Sequence, residues 1–335
     1  MRDFQAISIL GCGAITLAVA WALAAGVLPS PKANPNERSL HRFPVPRTGG
    51  LAIWAGWLFA WVVAGPPWAW AAPVAAVIAV SLVDDWRALP AYVRLTIHAG
   101  AGLAAAAPYH DLAAASGWAL VAFDALVIVW MANLYNFMDG ADGLAGSMGA
   151  IGFGAYAFGA ALAGNAGLAF LCAALSICCA AFLVFNRPPA RLFMGDVGAV
   201  GLGFVAGLVG LHGYSGDVWG WWFPPLVFAP FIIDSTATLA RRWRRGDALA
   251  RAHREHFYQR AILLDGGHTR TLFVYAGWMA ACAALALACL YFDGVAGGVA
   301  LVLAGAAFGW YCRSVDRRWA VSHLDPCHAD PRHAR

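Results

Sequence analysis

Apolar residues run along this chain in long blocks with short polar breaks between them. Blocks fall at 4–28, 49–65, 68–83, 92–107, 117–136, 144–163, 165–185, 197–213, 218–240, 271–292 and 295–312. About 20 apolar residues in a helix cross a bilayer's hydrocarbon core. The breaks are helix stoppers: Gly65-Pro66-Pro67, Pro108, Gly164-Asn165, the turn over 214–217 and Asp293-Gly294. The pattern predicts an all-α, polytopic integral membrane protein with 10–11 transmembrane helices.

Composition sharpens this reading. Hydrophobic residues make up 61% and charged residues 12% of the 335, against about 45–50% and about 25% in soluble domains. A soluble core cannot absorb that excess, so a soluble enzyme is excluded. The 16 tryptophans suit interfacial anchoring. The first block is far longer than a signal peptide's apolar core and lacks an A-x-A site, so it is expected to be a span. Seven of the eight cysteines lie in apolar blocks without metal-ligand spacing and read as small core residues. Residues 1–312 are expected to form one membrane-embedded domain and 313–335 a basic tail, whose Cys327, His323, His328 and His333 suit a solvated end better than a metal site.

Charge gives an orientation. With eleven spans, 21 of the 22 Lys and Arg fall on the side of 29–48, 241–270 and the tail, leaving Arg2 opposite. Basic loops mark the cytoplasm, so the N-terminus is expected in the periplasm and the C-terminus in the cytoplasm. The aspartate clusters open on that same cytoplasmic side.

An ionised Asp at a bilayer centre costs roughly 2.5–3.5 kcal/mol, so acids at span ends call for a cation, a cavity or chemistry. Asp84, Asp85, Asp139, Asp142, Asp196 and Asp234 all lie at or beside such ends, in a chain whose one lysine is Lys32. Asn133, Asn136, Asp139 and Asp142 recur every three residues, and the glycines at 140 and 143 let the backbone open. Oxygen-only donors suit Mg²⁺ or Mn²⁺, while the same residues also suit helix caps. Asp84 and Asp85 repel each other unless a proton or cation intervenes, with Arg87 as the nearest relief. Arg187 and Arg191 precede Asp196 and suit phosphates. His253 and His256 can share a helix face, and the loop 35–50, with Arg47, reads as a lid or a connector.

These segments, PNERSLH with PRTGG, DDW, NFMDGADGL, FMGDVG and AHREHFYQR, occur in the order seen in the polyprenyl-phosphate N-acetylhexosamine-1-phosphate transferases, a glycosyltransferase family 4 type. The chain resembles that family from about residue 30 to 260. The resemblance implies a Mg²⁺-dependent transfer from a UDP-N-acetyl sugar to undecaprenyl phosphate, releasing UMP, at the cytoplasmic face of the bacterial inner membrane. By the same resemblance Asn136 and Asp196 are metal ligands. Asp84, Asp85, Asp139 and Asp196 are catalytic, and Asp142, His253, His256, Arg191 and Arg47 bind substrate. Ala199 stands where the family often has Ser, and HREH replaces the consecutive histidines of the peptidoglycan-precursor branch. The branch initiating O-antigen and related polysaccharides is the better match, with UDP-GlcNAc or a UDP-6-deoxy-HexNAc as donor.

The alternative within the family is a phospho-N-acetylmuramoyl-pentapeptide transferase. From other classes come a secondary transporter, which would place acids at midplane in repeated halves, and a non-catalytic lipid scaffold. Expected partners are the UDP-sugar, the lipid acceptor, the bilayer and, compatibly, a second copy of the chain. No nucleic acid is expected.

Overall fold

The computed structural model describes residues 2–33, 44–65, 68–248, 254–265, 267–292 and 294–324. Among them are thirteen α-helices: α1 Arg2–Ala24, α2 Gly50–Ala64, α3 Ala71–Trp86, α4 Ala91–Ala106, α5 Gly117–Met138, α6 Leu144–Leu162, α7 Ala166–Asn186, α8 Gly195–Ser215, α9 Phe223–Val227, α10 Ala229–Arg244, α11 Phe257–Asp265, α12 His268–Cys289 and α13 Gly294–Leu324. Eight helices are long and apolar enough to cross a bilayer. Large apolar side chains such as Val62, Phe123, Leu126, Phe158 and Phe273 stay exposed on outer faces. In water that would be a liability; against lipid it is the required surface. The chain is a multi-pass, all-α membrane protein.

Every apolar block contains helix, with one break that the block pattern does not show. The block 218–240 is divided between α9 and α10 at Phe228. Pro224, Pro225 and Pro230 lack the N–H that an unbroken helix would need there. The boundary drawn at 312 falls inside α13, which continues to Leu324. Its 31 residues reach about 46 Å at 1.5 Å per residue, more than the hydrocarbon thickness. Asp316 near that end receives Arg241 Nη1 at 2.8 Å and Arg260 Nη1 at 2.6 Å, tying α13 to α10 and α11.

α8 is the central post, with most of its side chains buried, packed against α3, α5 and α2. Two buried indoles of α2 satisfy their N–H groups on neighbouring backbones: Trp54 donates to Val197 O at 2.8 Å and Trp57 to Leu171 O at 3.0 Å. A two-stranded antiparallel ribbon, β1 Lys32–Ala33 and β2 Val45–Pro46, pairs Lys32 with Pro46 and Ala33 with Val45. The chain leaving β2 is sewn to the segment before α8. Phe193 N donates to Pro46 O (2.8 Å), Gly49 N to Phe193 O (2.9 Å) and Gly50 N to Met194 O (2.8 Å). The PRTGG and FMGDVG segments thereby become one piece of backbone.

Candidate active site

The site grows from three helix ends. α3 stops at Asp84-Asp85-Trp86, where Arg47 caps it: Nη2 donates to Asp85 O at 2.7 Å and Asp84 O at 3.3 Å. A cation at a helix C-terminus relieves its free carbonyls. The Asp85 side chain reaches across to the start of α8, where Oδ1 accepts Asp196 N–H (3.1 Å) and Oδ2 accepts Val197 N–H (3.0 Å). One buried carboxylate thus serves two amides that a helix start leaves without partners. Gly195 makes that approach possible: its φ is +72°, and a Cβ there would meet Arg47 O at 1.9 Å. Asp84 is equally committed, accepting Leu89 N–H at 2.6 Å and Arg94 Nη1 at 2.7 Å. The same Arg94 nitrogen lies 3.3 Å from Asp196 Oδ2. Arg94, a turn into α4, therefore neutralises this pair's outer carboxylate, while Arg87 lies exposed.

The second wall is the turn after α5. Asn186, at the end of α7, accepts Gly143 N–H at 3.0 Å and donates to Leu192 O at 2.9 Å, bridging the 139–143 and 187–194 turns. Asp142 Oδ2 accepts Ala190 N–H (3.0 Å), and Asp142 N–H donates to His268 Nδ1 (3.1 Å). The half-buried Asp139 side chain has no hydrogen bond or ion pair among the described residues. Burial, then the nearby carboxylates of Asp196, Asp85 and Asp142, push its carboxyl well above the ordinary range.

These walls enclose a cavity of about 260 Å³ lined by Asp85, Asp139, Asp142, Asp196, Arg47, Asn186, Gln259 and His268 with neighbouring backbone. Four carboxylates face one guanidinium. Of the sequence-predicted residues, Arg47, Asp85, Asp139, Asp142 and Asp196 line it and Asp84 stands directly behind through Arg94. Asn136, half-buried one turn before Asp139, is not in the wall.

Arg191, expected to bind substrate, is not among the residues lining the cavity. Its guanidinium lies 5.1 Å from the Phe185 ring centre and donates to Val184 O at 3.2 Å, which holds it on the outside of α7. His256 is also not in the wall. It is buried, with Nδ1 3.3 Å from Asp234 Oδ1, between the rings of Phe137 and Tyr258. Asp234 repeats the Asp85 device, accepting the N–H groups of Phe257 and Tyr258 at the start of α11, both at 3.0 Å. His253 lies outside the described residues.

Three contributors carry no strong sequence signal, Arg94, Asn186 and His268, while Gln259 stands inside the AHREHFYQR segment with no role expected of it. Asn186 and His268 each stand at a helix end beside a break, the one cue by which a solitary polar residue could be singled out.

Among the described residues no three His, Cys, Asp or Glu side chains gather into a metal cage of their own. Mg²⁺ needs none, since it binds through one or two carboxylates, water and substrate phosphates. Asp139 and Asp196 offer hard oxygens in a cavity whose carboxylates outnumber its cations. The donor set fits such an ion.

Residues 67–214 match the profile of Glycosyl transferase family 4. A Yersinia pestis undecaprenyl-phosphate α-N-acetylglucosaminyl 1-phosphate transferase is 28% identical over 328 residues, covering 87% of this chain and 86% of that protein. A Bacillus subtilis protein named a probable undecaprenyl-phosphate N-acetylglucosaminyl 1-phosphate transferase is 27% identical across 72% of each chain. A Picosynechococcus phospho-N-acetylmuramoyl-pentapeptide-transferase is 41% identical over 125 residues, 37% of this chain and only 32% of that protein's length.

Proposed function

We propose that the chain is a member of glycosyl transferase family 4, whose profile matches residues 67–214, and that it transfers an N-acetylhexosamine-1-phosphate from a UDP-sugar to undecaprenyl phosphate. UDP-GlcNAc or a UDP-6-deoxy-HexNAc is the donor, and the lipid product starts a surface polysaccharide such as O-antigen. The observation that carries this reading is a pair of unlike spaces at one end of α5. The acid-rich polar cavity includes Asp139. An apolar groove of about 500 Å³, lined by Leu95, Trp130, Asn133, Phe137, Leu239 and Trp243 among others, runs down the outside of the same helix. A soluble nucleotide suits the first and a prenyl tail the second.

In this reading the acceptor phosphate, brought in by its tail, attacks the sugar-bearing phosphorus of the donor. A new P–O bond forms, the P–O bond to the bridging oxygen breaks, and that oxygen leaves with UMP. Asp139 and Asp196 would hold Mg²⁺ or Mn²⁺, with Asn136 one turn before Asp139. Bound there, the ion would neutralise the diphosphate and the departing UMP. Arg47 and Arg94 keep Asp85, Asp84 and Asp196 from repelling an incoming diphosphate, and they fix the carboxylates in place. The basic loops on the acid-bearing side support a cytoplasmic active site in a bacterial inner membrane.

The second reading, a phospho-N-acetylmuramoyl-pentapeptide donor, is favoured by the 41% identity of the Picosynechococcus match. It is disfavoured by HREH at 253–256 and by the much longer alignments to the N-acetylglucosaminyl transferases. The test is to incubate purified protein with undecaprenyl phosphate and a panel of UDP-sugars, reading the lipid product by mass. A HexNAc-diphospholipid formed with Mg²⁺ or Mn²⁺ and lost with EDTA is expected. A muramoyl-pentapeptide product would establish the second reading. Label uptake into sealed vesicles without lipid product would show a transporter instead.

A further inference from the structure

His268 is the first residue of α12 and lines the polar cavity. It gets there because Gly267 takes φ +146°, a conformation that a side chain resists, with open space around it. Two contacts then fix it. The Asp142 backbone N–H donates to its Nδ1 at 3.1 Å, with Asp142 Oδ1 3.5 Å from the same atom. One turn further on, Leu272 packs so closely under the 140–143 turn that a Cβ on Gly143 would meet it at 2.9 Å.

A ring nitrogen that accepts an N–H carries no hydrogen itself, so the hydrogen of this imidazole sits on Nε2. Nε2 makes no hydrogen bond among the described residues. We propose that His268 fixes the donor nucleotide: locked by Asp142 in one tautomer, it presents Nε2–H in the cavity as a neutral donor to an acceptor oxygen of the nucleotide. This rests on the function proposed above, under which the polar cavity takes the nucleotide and the apolar groove the lipid. With Nδ1 occupied, the ring positions and does not relay protons. The acceptor is a phosphate oxygen or a uracil carbonyl, either of which such a donor serves.

Two substitutions separate the roles of the two nitrogens. In His268→Asn the amide oxygen can take the place of Nδ1 and keep the Asp142 tether, with nothing at Nε2. In His268→Gln the longer side chain can place an amide N–H near the Nε2 position. With Mg²⁺ present, His268→Asn is expected to raise KM for the UDP-sugar and Kd for UMP about tenfold, the effect of one lost hydrogen bond. kcat and its pH profile should be unchanged within about twofold, and His268→Gln should recover most of the affinity. Uridine as competitor tells the acceptors apart: weakened uridine binding points to the uracil, weakened UMP binding alone to phosphate. Wild-type affinity in His268→Asn, or no recovery in His268→Gln, overturns the proposal. A wild-type enzyme that forms no lipid product from any UDP-sugar would sink the proposed function instead.

Discussion

Asp85 Oδ1 accepts the backbone N–H of Asp196 at 3.1 Å, joining residues 111 positions apart through a buried carboxylate. The adjacent bond to Val197 makes this a helix cap supplied from another span. Asp84 and Asp85 thus hold the site together before they do anything to a substrate.

Asp85→Asn keeps the shape but offers one acceptor where α8 needs two and removes a negative charge from a helix N-terminus. A loss of about 1–2 kcal/mol is expected, with turnover down at least tenfold as Asp196 shifts. Thermal unfolding in detergent checks it: a variant as stable as wild type would contradict the capping role.

Asp139 behaves in the opposite way. Its folded carboxyl is pushed above the unfolded value, so the folded state binds its proton more tightly. That contribution to stability is full below the ordinary carboxylate range and is lost as pH rises through the raised value. In EDTA, unfolding temperature should fall with rising pH in wild type, and Asp139→Asn should flatten this dependence while abolishing metal-dependent turnover. A variant with an unaltered profile would show that Asp139 is not the strained group.

The apolar groove can be filled without touching the polar cavity. Thr236 lies exposed in its wall on α10. Thr236→Trp should raise KM for undecaprenyl phosphate several-fold and leave KM for the UDP-sugar unchanged. Equal effects on both would mean that the groove does not hold the lipid.

Glu255 lies just before α11 and pairs with Arg242 and Arg245 at the end of α10. Partial burial alone would raise its carboxyl, but Arg245, Arg242 and Arg260 outweigh that and hold it below its ordinary value. Its contribution is present above the unfolded value and lost as pH falls through the folded one. Glu255→Gln should therefore speed tryptic cleavage at Arg245 near neutral pH, and the difference in unfolding temperature between the two proteins should shrink as pH falls through the acid range. Equal cleavage of both proteins at neutral pH would rule the network out as a brace.

Most of the helical framework was legible because the bilayer demands long apolar runs, and those are visible as composition. The α9–α10 break was written in three prolines but lost inside one apolar block. Burial and direction were the hidden quantities. Asp84 and Asp85 look reactive as a neighbouring pair, and only tertiary contacts show each occupied by amides and arginine. Arg191 lies in the right turn but faces outward onto Phe185, a choice that spacing does not encode. His268 belongs to no repeated pattern and acquires its meaning from Asp142, 126 positions away.

The three backbone hydrogen bonds joining 46–50 to 193–194 have a mechanical consequence. The wall bearing Arg47 and Asp196 behaves as a single rigid plate, since parting it would strand main-chain groups where water is scarce. Under the proposed function, admission of the nucleotide and discharge of UMP would then come from give in the facing side, where one imidazole and one glycine-hinged helix start meet the α5 turn.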